Sequence, residues 1–112
     1  MAIARPLEIE QHRDGDAVVM KLRGELDIAT VPRLEEAVEA ALADAPVELT
    51  IDLRPLGFLD SSGLRQFILL ADRAQEEGWR LVLIRPGQPT LSIFQITRAE
   101  ENLPFVDPPE EP

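Results

Sequence analysis

An aspartate, two serines and a glycine stand in a row at Asp60-Ser61-Ser62-Gly63, inside "FLDSSGLR", with a hydrophobic run before them and a helical pattern after them. Hydroxyls so placed have three chemical uses: a helix cap, a nucleophile, or an acceptor for a phosphate that changes the charge of a surface. The nucleophile lacks its partners. A strand-to-helix nucleophile elbow requires G-x-S-x-G, and the residue two before Ser61 is Leu59. The only histidine, His12, falls in the first strand beside a hairpin turn and reads as a surface residue rather than a general base. Asp52 and Asp60 bring carboxylates toward a strand end, but two acids without a glycine-rich calcium loop make a poor cage. No metal or cofactor is expected, and the scattered carboxylates read as solvated. The stretch also lacks the spacing and the lysine of a phosphate-binding loop.

The cap and the phosphate acceptor are compatible with each other. Ser61 or Ser62 can cap the helix, with Gly63 small because the turn is crowded. A phosphate on Ser61 would sit where unpaired N–H groups and the helix dipole favour negative charge by about 0.3–2 kcal/mol. It would also add about −1.5 to −2 charge to an exposed turn, which inside an interface costs on the order of a few kcal/mol. Each ~1.4 kcal/mol is a tenfold loss of affinity. Such a serine can block docking while the fold stays intact.

The elements that must position this turn follow from the hydrophobic period. Leu7 and Ile9, then Val18, Met20 and Leu22, alternate around Asp14-Gly15, a hairpin-turn signal, with Lys21 and Arg23 on the other face. Thr30, ahead of Pro32, can cap a helix whose apolar positions are Val31, Leu34, Val38, Ala41 and Leu42, with Arg33, Glu35, Glu36 and Glu39 toward water. "VELTIDL" alternates again through Val47, Leu49 and Ile51. From Ser61 a helical stripe runs through Leu64, Phe67, Ile68, Ala71 and Ala74, opposite Arg65, Asp72, Arg73 and Glu76, and Gly78 stops it. "WRLVLI" reads as a strand, "PTLSIFQIT" as a short helix with Leu91 and Phe94 inward, and "LPFV" as an edge strand. Strands joined through helices pair in parallel. The fold expected is a small α/β domain with a mixed sheet: an N-terminal hairpin, then alternating helices and strands with the helices packed on the sheet.

Composition agrees with one domain, since 112 residues with 45% apolar content build a single core. Without cysteine there is no disulfide or thiolate site, and a reducing compartment is compatible with the chain. The N-terminal "MAIARPLEIEQHRDGD" lacks a signal-peptide core and no stretch is apolar enough to span a bilayer, so a cytoplasmic protein without membrane insertion is expected. A net charge of −10 opposes direct nucleic-acid binding and steers a partner with a basic patch toward the surface.

"RGELDIATVPRLEEAV", then "LTIDLRPLGFLDSSGLRQFILL", then a helix, a glycine and "WRLVLI" resemble the STAS domains, specifically the bacterial anti-sigma factor antagonists, over roughly residues 7–106. The most specific parts are Gly24-Glu25-Leu26-Asp27 and Phe58-Leu59-Asp60-Ser61-Ser62-Gly63-Leu64. The resemblance implies a STAS domain over residues 1–106, and "DPPEEP", 107–112, with three prolines and no packing residues, is expected to be a disordered acidic tail. The resemblance makes Ser61 the phosphorylated residue, with Asp27 and Asp60 beside it, and leaves Ser62 to capping or to the geometry of the acceptor. The chain is then no enzyme. Its partners would be an anti-sigma factor that is also a serine kinase and a metal-dependent serine phosphatase. A scaffold of a signalling assembly, or a regulatory subunit of a lipid-transport complex, would use the same fold without an anti-sigma partner.

Three departures stand out. Arg65 occupies a position where many relatives carry glycine, four residues after Ser61 on the same helix face, and is expected to pair with the phosphate. "TRAEEN" replaces a Gly-Leu after the last phenylalanine-bearing helix, and "DPPEEP" stands where many relatives continue into a further helix, a loss that exposes sheet or favours a homodimer. Leu69 shares a helix face with Arg65, Asp72 and Glu76, as a partner anchor or as an ordinary surface leucine.

Overall fold

The hairpin forms at Asp14-Gly15, with Gly15 and Asp16 as its two loop residues and Gly15 at φ +64° in the left-handed region such turns require. The computed structural model describes residues 6–109. Within them β1 (Glu8–Asp14) and β2 (Ala17–Leu26) are antiparallel, and α1 (Val31–Leu42), β3 (Glu48–Asp52), β4 (Leu56–Leu59), α2 (Ser61–Glu77), β5 (Arg80–Ile84) and α3 (Thr90–Ile96) follow. A 3-10 turn, Ala99–Glu101, leads into the two-residue β6 (Phe105–Val106). The sheet runs β1-β2-β3-β5-β6, with β4 pairing beside β2, and every pairing but the first is parallel. This is the mixed α/β architecture that the alternating periods predict.

Alternation sets which side of the sheet is buried. Val18, Met20 and Leu22 of β2, Leu49 and Ile51 of β3, and Leu81 and Leu83 of β5 share one face and are all buried under the helices. Val31, Leu34, Val38 and Ala41 of α1 and Leu64, Phe67, Leu70 and Ala74 of α2 complete that core. Phe94 of α3, fully buried, packs between Phe67 and Phe105 with ring centroids 6.1 and 5.0 Å away, tying α2, α3 and β6 together. Large buried side chains of this kind are worth about 1.5–3 kcal/mol each.

Tertiary packing changes several positions that periodicity assigned. Val47 precedes β3 instead of belonging to it and is 61% exposed. The stripe of α2 runs through Leu70 rather than Ile68, which is 42% exposed, because the helix is seated by its buried Gly63 and Leu64. Leu91 is only half-buried, while Thr90 is buried and donates its hydroxyl to Leu56 O at 2.8 Å. The four-residue β4 was not foreseen as a strand. It pairs with the end of β2 across a bulge at Gly24-Glu25, an irregularity no period announces. Of the expected tail, residues 110–112 lie outside the described residues, whereas Asp107 accepts from Arg85 Nε at 3.0 Å.

Asp52 is not solvated. It is 2% exposed and held by Arg54, whose Nε and Nη2 donate to its two carboxylate oxygens at 3.0 and 2.8 Å and whose backbone N–H adds a third bond at 3.0 Å. Burial opposes its ionisation, but the Arg54 bonds, with help from Lys21, win and hold its pKa below the usual carboxylate value. A depressed folded pKa contributes stability above the unfolded value of about 4, lost as pH falls through the folded one. Asp52→Asn should therefore cost about 1–3 kcal/mol at neutral pH. Urea unfolding of the variant should also lose less stability as pH falls below about 4 than the parent does. Equal slopes would mean that the pair is energetically idle.

The departure at "TRAEEN" has a backbone correlate: Arg98 sits at φ +62°. A non-glycine residue there costs about 1–2 kcal/mol, partly offset by the greater unfolded-state entropy of glycine. Arg98 also forms an exposed ion pair with Glu101 at 3.1 Å, of the kind worth about 0–1 kcal/mol. Arg98→Gly is expected to raise stability by about 0.5 kcal/mol in denaturant unfolding. A loss would show that the ion pair outweighs the strain.

Candidate functional site

The DSSG turn lies where β4 hands over to α2, at the end of β2 that faces away from the hairpin. The cap of α2 is Asp60 and not a serine: its Oδ1 accepts from Gly63 N–H at 3.0 Å, in extended geometry at φ −107°. An ionised carboxylate is the stronger acceptor for a helix N-terminus. Ser61 and Ser62 become the first two helical residues, Ser61 exposed and Ser62 half-buried. Neither hydroxyl makes a hydrogen bond among the described residues, which removes the capping role expected of Ser62.

Gly63 is small for the reason anticipated. A Cβ added there would meet Leu59 Cδ1 at 2.5 Å and both Leu26 Cγ and Leu26 O at 2.9 Å. The start of α2 is thus pressed onto the ends of β2 and β4, and Asp60 N–H donates to Leu26 O at 3.2 Å. The serines stand on a rigid base.

The second loop of the site runs from Asp27 to Thr30. Thr30 was expected to cap α1 with its hydroxyl, but it makes no such bond. Its Oγ1 donates to Glu25 O and accepts from Asp27 N–H, both at 2.9 Å, while of the amides a cap would serve Pro32 has no N–H and Arg33 N–H donates to Thr30 O at 2.9 Å. The Asp27 carboxylate accepts from the N–H groups of Ala29 and Thr30 at 3.0 Å. Asp60 joins the two loops: its Oδ2 accepts from Ile28 N–H at 3.2 Å. Asp27 and Asp60 therefore shape two turns that the Ile28 N–H joins. Ile28, 76% exposed, and Phe58, 47% exposed, are apolar residues of this region whose exposure the sequence reading missed. A hydrophobic residue between two turn-forming polar ones, as in Asp27-Ile28-Ala29-Thr30, was the available signal for Ile28.

Arg65 lies exposed one turn beyond Ser61 and forms no ion pair among the described residues. Leu69, 46% exposed, lines a groove of about 380 Å³ between α1 and α2, over Leu34, Val38 and Leu70. Arg73 also lines it, donating to Glu39 of α1 and to Glu77 and so bridging the two helices. The arrangement offers a free hydroxyl, a free guanidinium and exposed apolar side chains on one fixed scaffold, which suits docking and modification better than catalysis.

Comparison with known proteins shows what the chain is similar to. A family model described as "Mlab, STAS domain" matches residues 9–106. An anti-sigma-B factor antagonist of Listeria monocytogenes is 31% identical over 91 residues, 81% of this chain and 79% of the relative. One from Staphylococcus aureus is 28% identical over 81% of this chain and 84% of its own. Among solved structures, an anti-sigma factor antagonist from Mycobacterium paratuberculosis superposes with a TM-score of 0.75 at 28% identity, covering 88% of this chain and 84% of that one. The antagonist SpoIIAA in its unphosphorylated form shares the fold with a TM-score of 0.73 at 23% identity, over 93% of this chain and 89% of its own.

Proposed function

The chain belongs to the STAS domain family, and from that premise we propose that it is an anti-sigma factor antagonist switched by phosphorylation of Ser61. Unphosphorylated, it binds an anti-sigma factor that is also a serine kinase and so frees a sigma factor. The kinase transfers the γ-phosphoryl group of ATP to Ser61 Oγ, with ADP leaving and the hydroxyl proton lost, and the complex dissociates. A metal-dependent serine phosphatase restores the hydroxyl. In this cycle the chain is a cytoplasmic ligand and substrate, not an enzyme. Arg65 pairs with the phosphate, and Leu69 contributes apolar contact to the docked kinase.

One observation carries the reading: Ser61 is exposed at the head of a 17-residue helix, and its hydroxyl is free because Asp60 does the capping. The Ser61 hydroxyl itself holds no hydrogen bond that a phosphate would displace, and the acceptor can be modified in the folded protein. The test is intact-mass and fragment mass spectrometry on protein purified from its own cells, with and without a serine phosphatase. A single removable phosphate on Ser61 is expected, together with recovery of a kinase-type anti-sigma factor by Ser61→Ala. A phosphate elsewhere, or none under any growth or stress condition, would replace the switch with an unswitched scaffold or transport-subunit role.

A further inference from the structure

Ile28 points an apolar side chain into solvent from a loop fastened on both sides. Inside the loop, the Asp27 carboxylate and the Thr30 hydroxyl hold the backbone with bonds of 2.9–3.0 Å. Toward α2 the fastening is a single bond, Ile28 N–H to Asp60 Oδ2 at 3.2 Å. The other oxygen of that carboxylate caps the helix that begins at Ser61. One side chain, adjacent in sequence to the phosphate acceptor, therefore fixes both the acceptor helix and the backbone of the most exposed apolar residue of this region.

We infer that Asp60 is a positioning residue that presents Ile28 as an apolar anchor of the docking surface, and that a phosphate on Ser61 releases Ile28 through Asp60. The inference rests on the Ser61 reading above and supplies the regulation of that same site. A lone exposed isoleucine is ordinary. What sets this one apart is that its amide is held by the neighbour of the acceptor.

The direction of the effect follows from the two bonds Asp60 makes. Phosphoserine adds about −1.5 to −2 charge one residue from the carboxylate, and like charges at that separation push the carboxylate off one of its donors. The bond to Gly63 is the shorter, is partly buried, and belongs to a glycine locked against Leu26 and Leu59. The bond to Ile28 is longer and exposed, so water replaces it at least cost. It yields first. The Asp27 and Thr30 bonds stay, and the anchor loosens without unfolding of the domain.

The experiment uses the full chain with phosphoserine encoded at position 61 during synthesis, so that no kinase is required. Amide–water exchange is measured by NMR on the nitrogen-15-labelled protein. Ile28 N–H should exchange roughly three- to tenfold faster in the phosphoprotein than in the unmodified one, the worth of one exposed hydrogen bond, with Gly63, Leu49 and Ile51 unchanged. Asp60→Asn, which keeps one acceptor oxygen for Gly63, should reproduce the acceleration at Ile28 alone. Unchanged Ile28 exchange in the phosphoprotein overturns the relay, and this comparison stands even where Asp60→Asn fails to fold. Because the phosphate is installed during synthesis, its absence from cells would overturn the switch proposed above and leave the relay standing, while an unmoved Ile28 would do the reverse.

Discussion

Gly24→Ala is expected to cost about 2–4 kcal/mol and to lower the melting temperature by roughly 10 °C. Gly24 lies in the middle of the sheet at φ +101°, where a side chain is strained whatever the space around it. The space is also absent: a Cβ would stand 2.2 Å from Pro6 O and 3.1 Å from Pro6 C. These are backbone atoms directly before Leu7, which is fully buried, so moving them aside drags a core residue outward. Gly15→Ala is the matched control, since Gly15 is also left-handed, at φ +64°, yet has nothing within 4 Å of its missing Cβ. Its cost should be about 1 kcal/mol, from the backbone alone. Thermal and denaturant unfolding of both variants isolates the close approach to Pro6. If the two alanines cost the same, the approach is not a constraint on the fold.

Ser61→Asp should weaken binding to the anti-sigma partner recovered with Ser61→Ala by at least about tenfold, and a full phosphate by about a hundredfold. Stability should stay within about 1 kcal/mol of the parent, because a negative group in the first turn of a helix is favourable by about 0.3–1 kcal/mol. The separation of the two effects is diagnostic. Ser61 opens α2 without bonding to anything among the described residues, so charge placed there acts on the docking partner and on Asp60 rather than on the core. Calorimetric titration against the partner, paired with unfolding curves, reads both quantities. Tight binding by Ser61→Asp, in a protein as stable as the parent, would remove Ser61 from the interface.

Much of the fold was readable along the chain because its elements are strongly periodic. The hairpin at Asp14-Gly15, the buried set Val18, Met20 and Leu22, the apolar face of α1 and the stop at Gly78 all depend on local alternation, turn chemistry or capping. Interactions of that kind are set within a few residues, so the sequence alone carries them. The DSSG turn was also visible, as a helix start with a crowded glycine. Motif spacing likewise pointed to the STAS family, whose model spans residues 9–106.

What the residues could not decide one by one was settled across the chain. Ser, Thr and Asp are all good caps, and only the extended backbone at Asp60, fixed by β4 lying beside β2, selected the aspartate and left both serines free. Thr30 lost its expected role because Pro32 offers no N–H, Arg33 N–H goes to Thr30 O, and the hydroxyl is engaged by Glu25 O and Asp27 N–H. Val47 and Ile68 changed sides, and Leu70 joined the core, because burial depends on where a neighbouring element ends, not on a residue's own hydrophobicity. Asp52 was pulled out of water by Arg54. The contact of Asp60 with Ile28 spans 32 positions of sequence. Local chemistry sets which elements form, while the choice among equally suited groups belongs to long-range packing, which brings one of them to its partner and leaves the others in solvent.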